Sequence, residues 1–188
     1  MSHSVQRGVT LIELMIVLVI LVILVAMAGP AFIDTLDRRR IVDATEALGK
    51  QVQQARMVAI ESNRVISLIF DGDGSEWCFG LTDQNDCDCN VENDCRIPLG
   101  IAANLAGTDY QTVRASSAQF SGVSLAGAPG ALRFEPLRGV RIGGEPTESA
   151  RFQSARGLEA QVLVNVIGRV ATCSPDGSSK IIGVKTCP

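Results

Sequence analysis

Residues 14–28 read LMIVLVILVILVAMA and contain no polar side chain. The apolar run extends from Val9 to Gly29 with one charge in it, Glu13. About 20 apolar residues at ~1.5 Å each are enough to cross a bilayer as a helix. The preceding residues, MSHSVQRG, are polar and carry Arg7, which argues for an N-terminus kept on the cytoplasmic side. Three fates compete for such a segment. It could be a secretory signal cut near Ala26-Met27-Ala28, a plain single-span anchor, or a segment cut at its start, after Gly8, and retained. Glu13 separates them. A carboxylate near the centre of a membrane segment costs roughly 2.5 kcal/mol or more and usually has a partner, and a signal-peptide core has no use for one. Cleavage between Gly8 and Val9 would create an α-amino group four residues before Glu13, able to pair with it on a neighbouring copy of the helix.

The string Gly8-Val9-Thr10-Leu11-Ile12-Glu13 resembles the class III signal of type IV pilins and type II secretion pseudopilins, whose consensus is G↓FTLIE. The resemblance implies cleavage after Gly8, N-methylation of Val9 in place of the usual Phe, and an assembly salt bridge from Glu13. Pro30 lies where pilins often carry a proline.

Pro30 has no N–H to give the Ala26 carbonyl, so a kink or local melt is expected around Gly29-Pro30. Apolar residues then recur at Ile33, Leu36, Ile41, Ala44, Leu48, Val52, Ala55 and Ala59, at helical spacing from Ile41 onward. The helix is predicted to end near Ser62-Asn63, about 80 Å from Val9 if straight. Arg38-Arg39-Arg40 is flanked by Asp34, Asp37 and Asp43 and reads as a solvated helix face rather than a nucleic-acid contact. Past Arg64 come short β-rich runs at 65–70, 76–82, 110–115, 119–125, 132–135, 161–167, 170–173 and 180–185. Turn signals separate them, among them Asp71-Gly72-Asp73-Gly74 and Gly143-Gly144. The predicted fold class is α+β, a long N-terminal helix packed on an antiparallel β head. The divisions are a leader at 1–8, a transmembrane or fibre-core helix at 9–29, the amphipathic half of the same helix at 30–63, and a periplasmic head at 64–188. The stretch LGKQVQQARMVAIESNRVISL, residues 48–68, further resembles the GspH/FimT/FimU group of minor pilins, through Ala55-Arg56, Ala59, Val65 and Ser67-Leu68. Gly168-Arg169 followed by Cys173 and Cys187 is also similar to that group.

Six cysteines, an even count, suggest an oxidising compartment. Cys78, Cys87, Cys89 and Cys95 lack the common C-x2-C spacing of zinc sites, so disulfides are preferred and no metal is expected. Cys87 and Cys89 are too close to pair easily with each other. That leaves Cys78–Cys87 with Cys89–Cys95, or Cys78–Cys89 with Cys87–Cys95; the first is favoured. Cys173 then pairs with Cys187, a closure worth about 3 kcal/mol in the chain-entropy account. Asp71-Gly72-Asp73-Gly74-Ser75 resembles the start of a calcium loop. Thr82 stands where a bidentate glutamate would be needed, so it reads as a hairpin turn.

Residues 71–96 hold eight acids against one base, Arg96. This acidic stretch is expected to be exposed and to keep its loop solvated. The single histidine is His3, inside the segment expected to be removed. Without it no Ser-His or Cys-His pair can form, and no cofactor or enzymatic activity is expected. Some members of the resembled group bind DNA through a C-terminal G-R-x-R motif. Here it reads Gly168-Arg169-Val170-Ala171, and Arg169 alone cannot supply several phosphate contacts, so nucleic acid is not an expected partner. The resemblance implies a minor pilin of a type IV pilus acting in assembly near the tip, with a type II secretion pseudopilin as the alternative and a pilin-like DNA receptor as a third reading. It implies as partners other major and minor pilins or pseudopilins, the prepilin peptidase/N-methyltransferase and the inner membrane.

Overall fold

The computed structural model describes residues 9–99, 110–175, 181 and 183–188, with the side chains of 27–31 excepted. It divides into two compact units, one ending at Leu36 and one running from Asp37 to Pro188. Helix α1, Leu11–Ser62, belongs to both and is helical through Gly29 and Pro30. Within the first unit, every described side chain from Val9 to Ala26 is exposed. The apolar stretch with described side chains thus spans only residues 11–26 of the helix. Among the described residues no helix is long and apolar enough to cross a membrane.

The second unit starts from the amphipathic part of α1. Ile41, Ala44, Leu48, Val52, Ala55 and Ala59 are all fully buried, as their helical spacing predicts. Ile33, earlier on the helix, is half exposed. Among the described residues eleven strands follow, all paired antiparallel, nine in two larger sheets and two in a small ribbon: β1 Ile66–Asp73, β2 Glu76–Thr82, β3 Arg96–Pro98, β4 Tyr110–Thr112, β5 Arg114–Ser116, β6 Val123–Gly127, β7 Ala131–Phe134, β8 Arg141–Ile142, β9 Thr147–Ser154, β10 Glu159–Asn165 and β11 Val170–Cys173. The sheet orders are β5-β2-β1-β7-β8 and β11-β10-β9-β6, with β3-β4 as a small third ribbon. Gly74 and Leu125 exchange backbone hydrogen bonds of 2.9 and 2.8 Å, joining the β1–β2 hairpin to β6.

The alternation of β2 decides what each of its faces does. Trp77, Phe79 and Leu81 enter the main core, while Cys78 and Gly80 face the other way. Trp77 stacks on Phe79 at 5.7 Å and on Phe120 at 5.8 Å, and meets Phe152 edge-on at 5.3 Å. Its indole N–H donates to the Val123 carbonyl at 3.0 Å. Rings from both large sheets thus meet at one point, and the one polar atom buried there is satisfied.

Several sequence expectations change. The run at 110–115 is interrupted at Val113, whose N–H donates to Cys95 and whose carbonyl accepts from Leu81. The run at 119–125 begins as a 3-10 turn, Ser117–Gln119, and becomes strand only at Val123. The run at 180–185 lies partly outside the described residues; its neighbour Thr186 meets Ser174 as a single parallel bridge. Strands β3, β8 and β9 were not anticipated. Strand β9, TESARFQS, is largely polar, and its alternation shows only once Ala150, Phe152 and Ser154 are seen to be its buried side.

Candidate assembly segment and head surface

The start of α1 is built from the motif residues themselves. Thr10 Oγ1 accepts the Glu13 N–H at 3.3 Å, and the Thr10 carbonyl accepts the Leu14 N–H at 3.2 Å. Thr10 is therefore the N-cap and Glu13 the third helical residue, the T-x-x-E spacing of a capping box. A carboxylate in the first turn also lies at the favourable end of the helix dipole. Val9 and Glu13 are both exposed, while Gly8 lies outside the described residues. The capping role of Thr10 is legible in the sequence as [ST]-x-x-[DE] before an apolar run, although the cleavage motif points only to Gly8, Val9 and Glu13.

The disulfide-bearing loop folds back over the outer face of β2. Cys95 lies directly over Gly80, where an added Cβ would come within 2.7 Å of the Cys95 Cβ. The structure joins Cys78 to Cys89 and Cys87 to Cys95, and Cys173 to Cys187. The favoured connectivity of Cys78–Cys87 with Cys89–Cys95 is thereby corrected. Cys78 and Gly80 share one face of the strand, so the segment returning over Gly80 brings Cys89 to Cys78 and leaves Cys87 to Cys95. Asp88 donates its backbone N–H to Asp94 at 2.6 Å, and Arg114 reaches the Cys89 carbonyl at 3.1 Å, holding the loop in place. Beside it a shallow cavity of about 850 Å³ is lined by Asp71, Asp86, Asp88 and Asp94 together with Arg133. All four carboxylates are exposed, as the sequence reading expects of this acidic stretch.

Two side chains fasten the C-terminal end of α1 to the head. Arg64 forms an ion pair with Asp83 at 2.7 Å, and Tyr110 donates to the same carboxylate oxygen at 3.3 Å. The hydrogen bond to Asp83, then that to Tyr110, raises the Arg64 pKa. Arg56 donates from Nε to the Gly139 carbonyl at 2.9 Å and from Nη1 to the Gly168 carbonyl at 3.3 Å. Gly168 has φ +71°, and a Cβ there would fall 2.4 Å from Arg56 Cδ. The two short motifs singled out in the sequence, Ala55-Arg56 and Gly168-Arg169, therefore meet. Arg169 itself is exposed, and its backbone N–H is held by Asn165 Oδ1 at 2.8 Å. Arg141, buried in β8, faces Glu148 at 3.6 Å and donates to the carbonyls of Gly143 and Glu145, which shapes the Gly143-Gly144 turn.

An exposed apolar helix opening on a capped Thr-x-x-Glu turn, followed by a disulfide-stapled antiparallel head, defines a pilin-like subunit. Residues 3–29 match the prokaryotic N-terminal methylation motif, and residues 44–177 match Type II transport protein GspH. The chain belongs to the GspH family, whose members are structural pilin-type subunits rather than enzymes. The methylation motif goes with membrane anchoring and a place in a pilus or pseudopilus. Among solved structures, the chain is similar to the type IV minor pilin FimU of Pseudomonas aeruginosa strain PAO1, with 16% identity and a TM-score of 0.42 over 71% of this chain and 87% of that one. No curated protein matches the sequence.

Proposed function

We propose that this chain is a minor pilin of a type IV pilus, a structural subunit that acts in assembly near the fibre tip. The observation that carries this reading is the N-terminal segment: a Thr10-capped helix with Glu13 in its first turn and exposed apolar side chains as far as residue 26. The prepilin peptidase cuts after Gly8 and methylates Val9. Residues 9–29 hold the chain in the inner membrane, Gly29 and Pro30 allow the helix to bend, and the head faces the periplasm. On docking, Glu13 pairs with the Val9 amine of an adjacent subunit, exchanging a poor lipid environment for an opposite charge. The partners are the other major and minor pilins. Membership of the GspH family favours one second reading, a minor pseudopilin of a type II secretion system, with the same processing and the same Glu13 pair. Three disulfides in the head support the pilus reading, since a surface fibre meets harsher conditions than a periplasmic one.

Mass spectrometry of the assembled protein tests the processing. The expected mature chain begins at N-methylated Val9; a start at Gly29 would restore the signal-peptide reading and end this one. Shearing of surface fibres, followed by detection of the chain among them, separates pilus from pseudopilus.

A further inference from the structure

Strand β11 ends its sheet: β10 lies on one side and, among the described residues, no strand lies on the other. In an antiparallel ladder successive residues turn their backbone groups to opposite edges. Hydrogen bonds on both sides show which residues face which way. The Asn165 N–H donates to the Arg169 carbonyl at 3.2 Å, so Arg169, Ala171 and Cys173 face β10. On the far side the Ser174 N–H donates to the Lys185 carbonyl at 2.8 Å and the Ser174 carbonyl accepts from Cys187 at 3.0 Å, so Val170, Thr172 and Ser174 face outward. The C-terminal residues thus add one parallel bridge to this edge, Ser174 with Thr186. Ahead of that bridge they run as a turn, the Val184 N–H donating to the Ile181 carbonyl at 3.1 Å. Val170 and Thr172 are left with outward backbone groups that no described residue pairs. The same two residues line a hollow of about 700 Å³, together with Thr45, Gly49, Met57 and Val58 of α1. Its charged lining residues, Glu46 and Lys50, form an ion pair at 3.5 Å.

We propose that the outer edge of β11 at Val170 and Thr172 takes an extended segment from the head of a neighbouring pilin-type subunit as an added strand, laid in the hollow beside α1. This rests on the reading of the chain as a subunit of a pilus or pseudopilus. The occupant follows from the groups it must satisfy. N–H and C=O groups repeating at every second residue of a strand edge are matched by another extended backbone. A helix cannot match them, because its own backbone groups are already used. Ser174 shows that this edge accepts a second backbone, since Lys185 and Cys187 already bond to it. A head of this build can supply the strand, because β5 and β8 each end a sheet and keep one edge without a strand among the described residues. Met57, Val58 and Val170 give the hollow apolar walls, while Glu46 and Lys50 offset each other, so backbone pairing and apolar contact select the segment rather than charge. The β10 ladder holds the edge extended before a partner arrives, so docking orders little on this side.

The test uses the full-length chain in cells that assemble the fibre, with a photo-crosslinking amino acid placed at Met57, an exposed residue of the hollow. A control carries it at Val91, exposed in the acidic loop. The expected result is an adduct at position 57, and not at 91, with the head of another subunit bearing the N-terminal methylation motif. Thr172→Pro deletes an outward N–H and spares the ladder to β10, which uses Ala171 and Cys173. It should lower the adduct yield several-fold, while Thr172→Ala, which keeps the backbone, leaves it unchanged. Gly49→Leu fills the hollow from a helix position where a Cβ meets only ordinary contact, and should lower the yield as well. Trp77 fluorescence on heating checks that each variant is folded; if Thr172→Pro is not, Gly49→Leu decides. No adduct at 57 from a chain present in sheared fibres, an adduct with a protein of another kind, or a yield untouched by the folded variants overturns the added strand alone. An adduct with a pilin-type subunit from a chain absent from surface fibres upholds the strand and assigns it to a pseudopilus. Absence of the unsubstituted chain from fibres, with no such adduct, overturns the fibre reading and the added strand with it.

Discussion

Arg56 does through two donor nitrogens what a hydrophobic contact could not do at a surface. It points a planar, permanently charged fork at the carbonyls of two loops, one of which also accepts from Gln53 Nε2 at 3.5 Å. Its partners Gly139 and Gly168 lie 83 and 112 positions along the chain, so the side chain closes two long loops at once. Gly168 is the more constrained of the pair, since a side chain there would meet both a left-handed backbone and the Arg56 methylenes. Gly168→Ala should therefore destabilise the head by about 2 kcal/mol. The lone tryptophan, Trp77, sits in the core and makes the measurement simple. Its fluorescence, followed on heating the full chain in detergent, should report a midpoint lowered by roughly 4–8 °C. An unchanged midpoint would mean that the loop relaxes away from Arg56 at no cost. Arg169→Ala, by contrast, removes an exposed side chain and should leave the midpoint where it is.

At the level of elements, the loop over the outer face of β2 is the part most open to direct chemical test. Digestion of the unreduced protein with a protease that cuts at Asp88 separates Cys87 from Cys89. The linked peptides should then join Cys78 to Cys89 and Cys87 to Cys95, and alkylation without reduction should label no cysteine. Peptides joining Cys78 to Cys87 would show that the segment does not fold back over Gly80. That pairing could not be read from spacing, because it depends on which face of β2 carries Cys78 and on where the returning loop crosses it. The buried stripe of α1 was legible, because Ile41 to Ala59 repeat with the helical period and one face suffices to bury them. Strand β9 was hidden, with only Ala150 and Phe152 to betray an apolar side. The same division runs through the functional surfaces. Gly8 to Glu13 are contiguous and their pattern is read locally, whereas Ala55-Arg56 and Gly168-Arg169 meet only in the fold.

At the scale of the whole molecule, the proposed assembly turns on one carboxylate. Apolar packing between helices tolerates sliding by a helical turn, whereas the proposed charge pair between Glu13 and the Val9 amine would not. Glu13→Ala should leave membrane insertion and cleavage at Gly8 nearly intact while reducing incorporation into the fibre. Glu13→Gln keeps the volume and removes the ion, so an equal loss assigns the effect to charge. Comparison of the protein in sheared fibres with that in the inner membrane decides it, and normal incorporation of both variants would show the pair to be dispensable. In the proposed fibre a subunit would bear load, and there the crossed linkage of Cys78–Cys89 with Cys87–Cys95 acquires a mechanical meaning. A taut chain entering at Cys78 crosses to Cys89, steps back to Cys87 and leaves at Cys95, so residues 79–86 and 90–94 never enter the load path. The Cys173–Cys187 bond, with its separation of 14, shunts a similar length. At roughly 3.4 Å per extended residue, about 90 Å of slack is withheld from a head pulled open by its ends. A subunit wired in this way is a short-stroke element: under tension it yields late and lengthens little, so force passes along the fibre instead of being lost in the unravelling of one head.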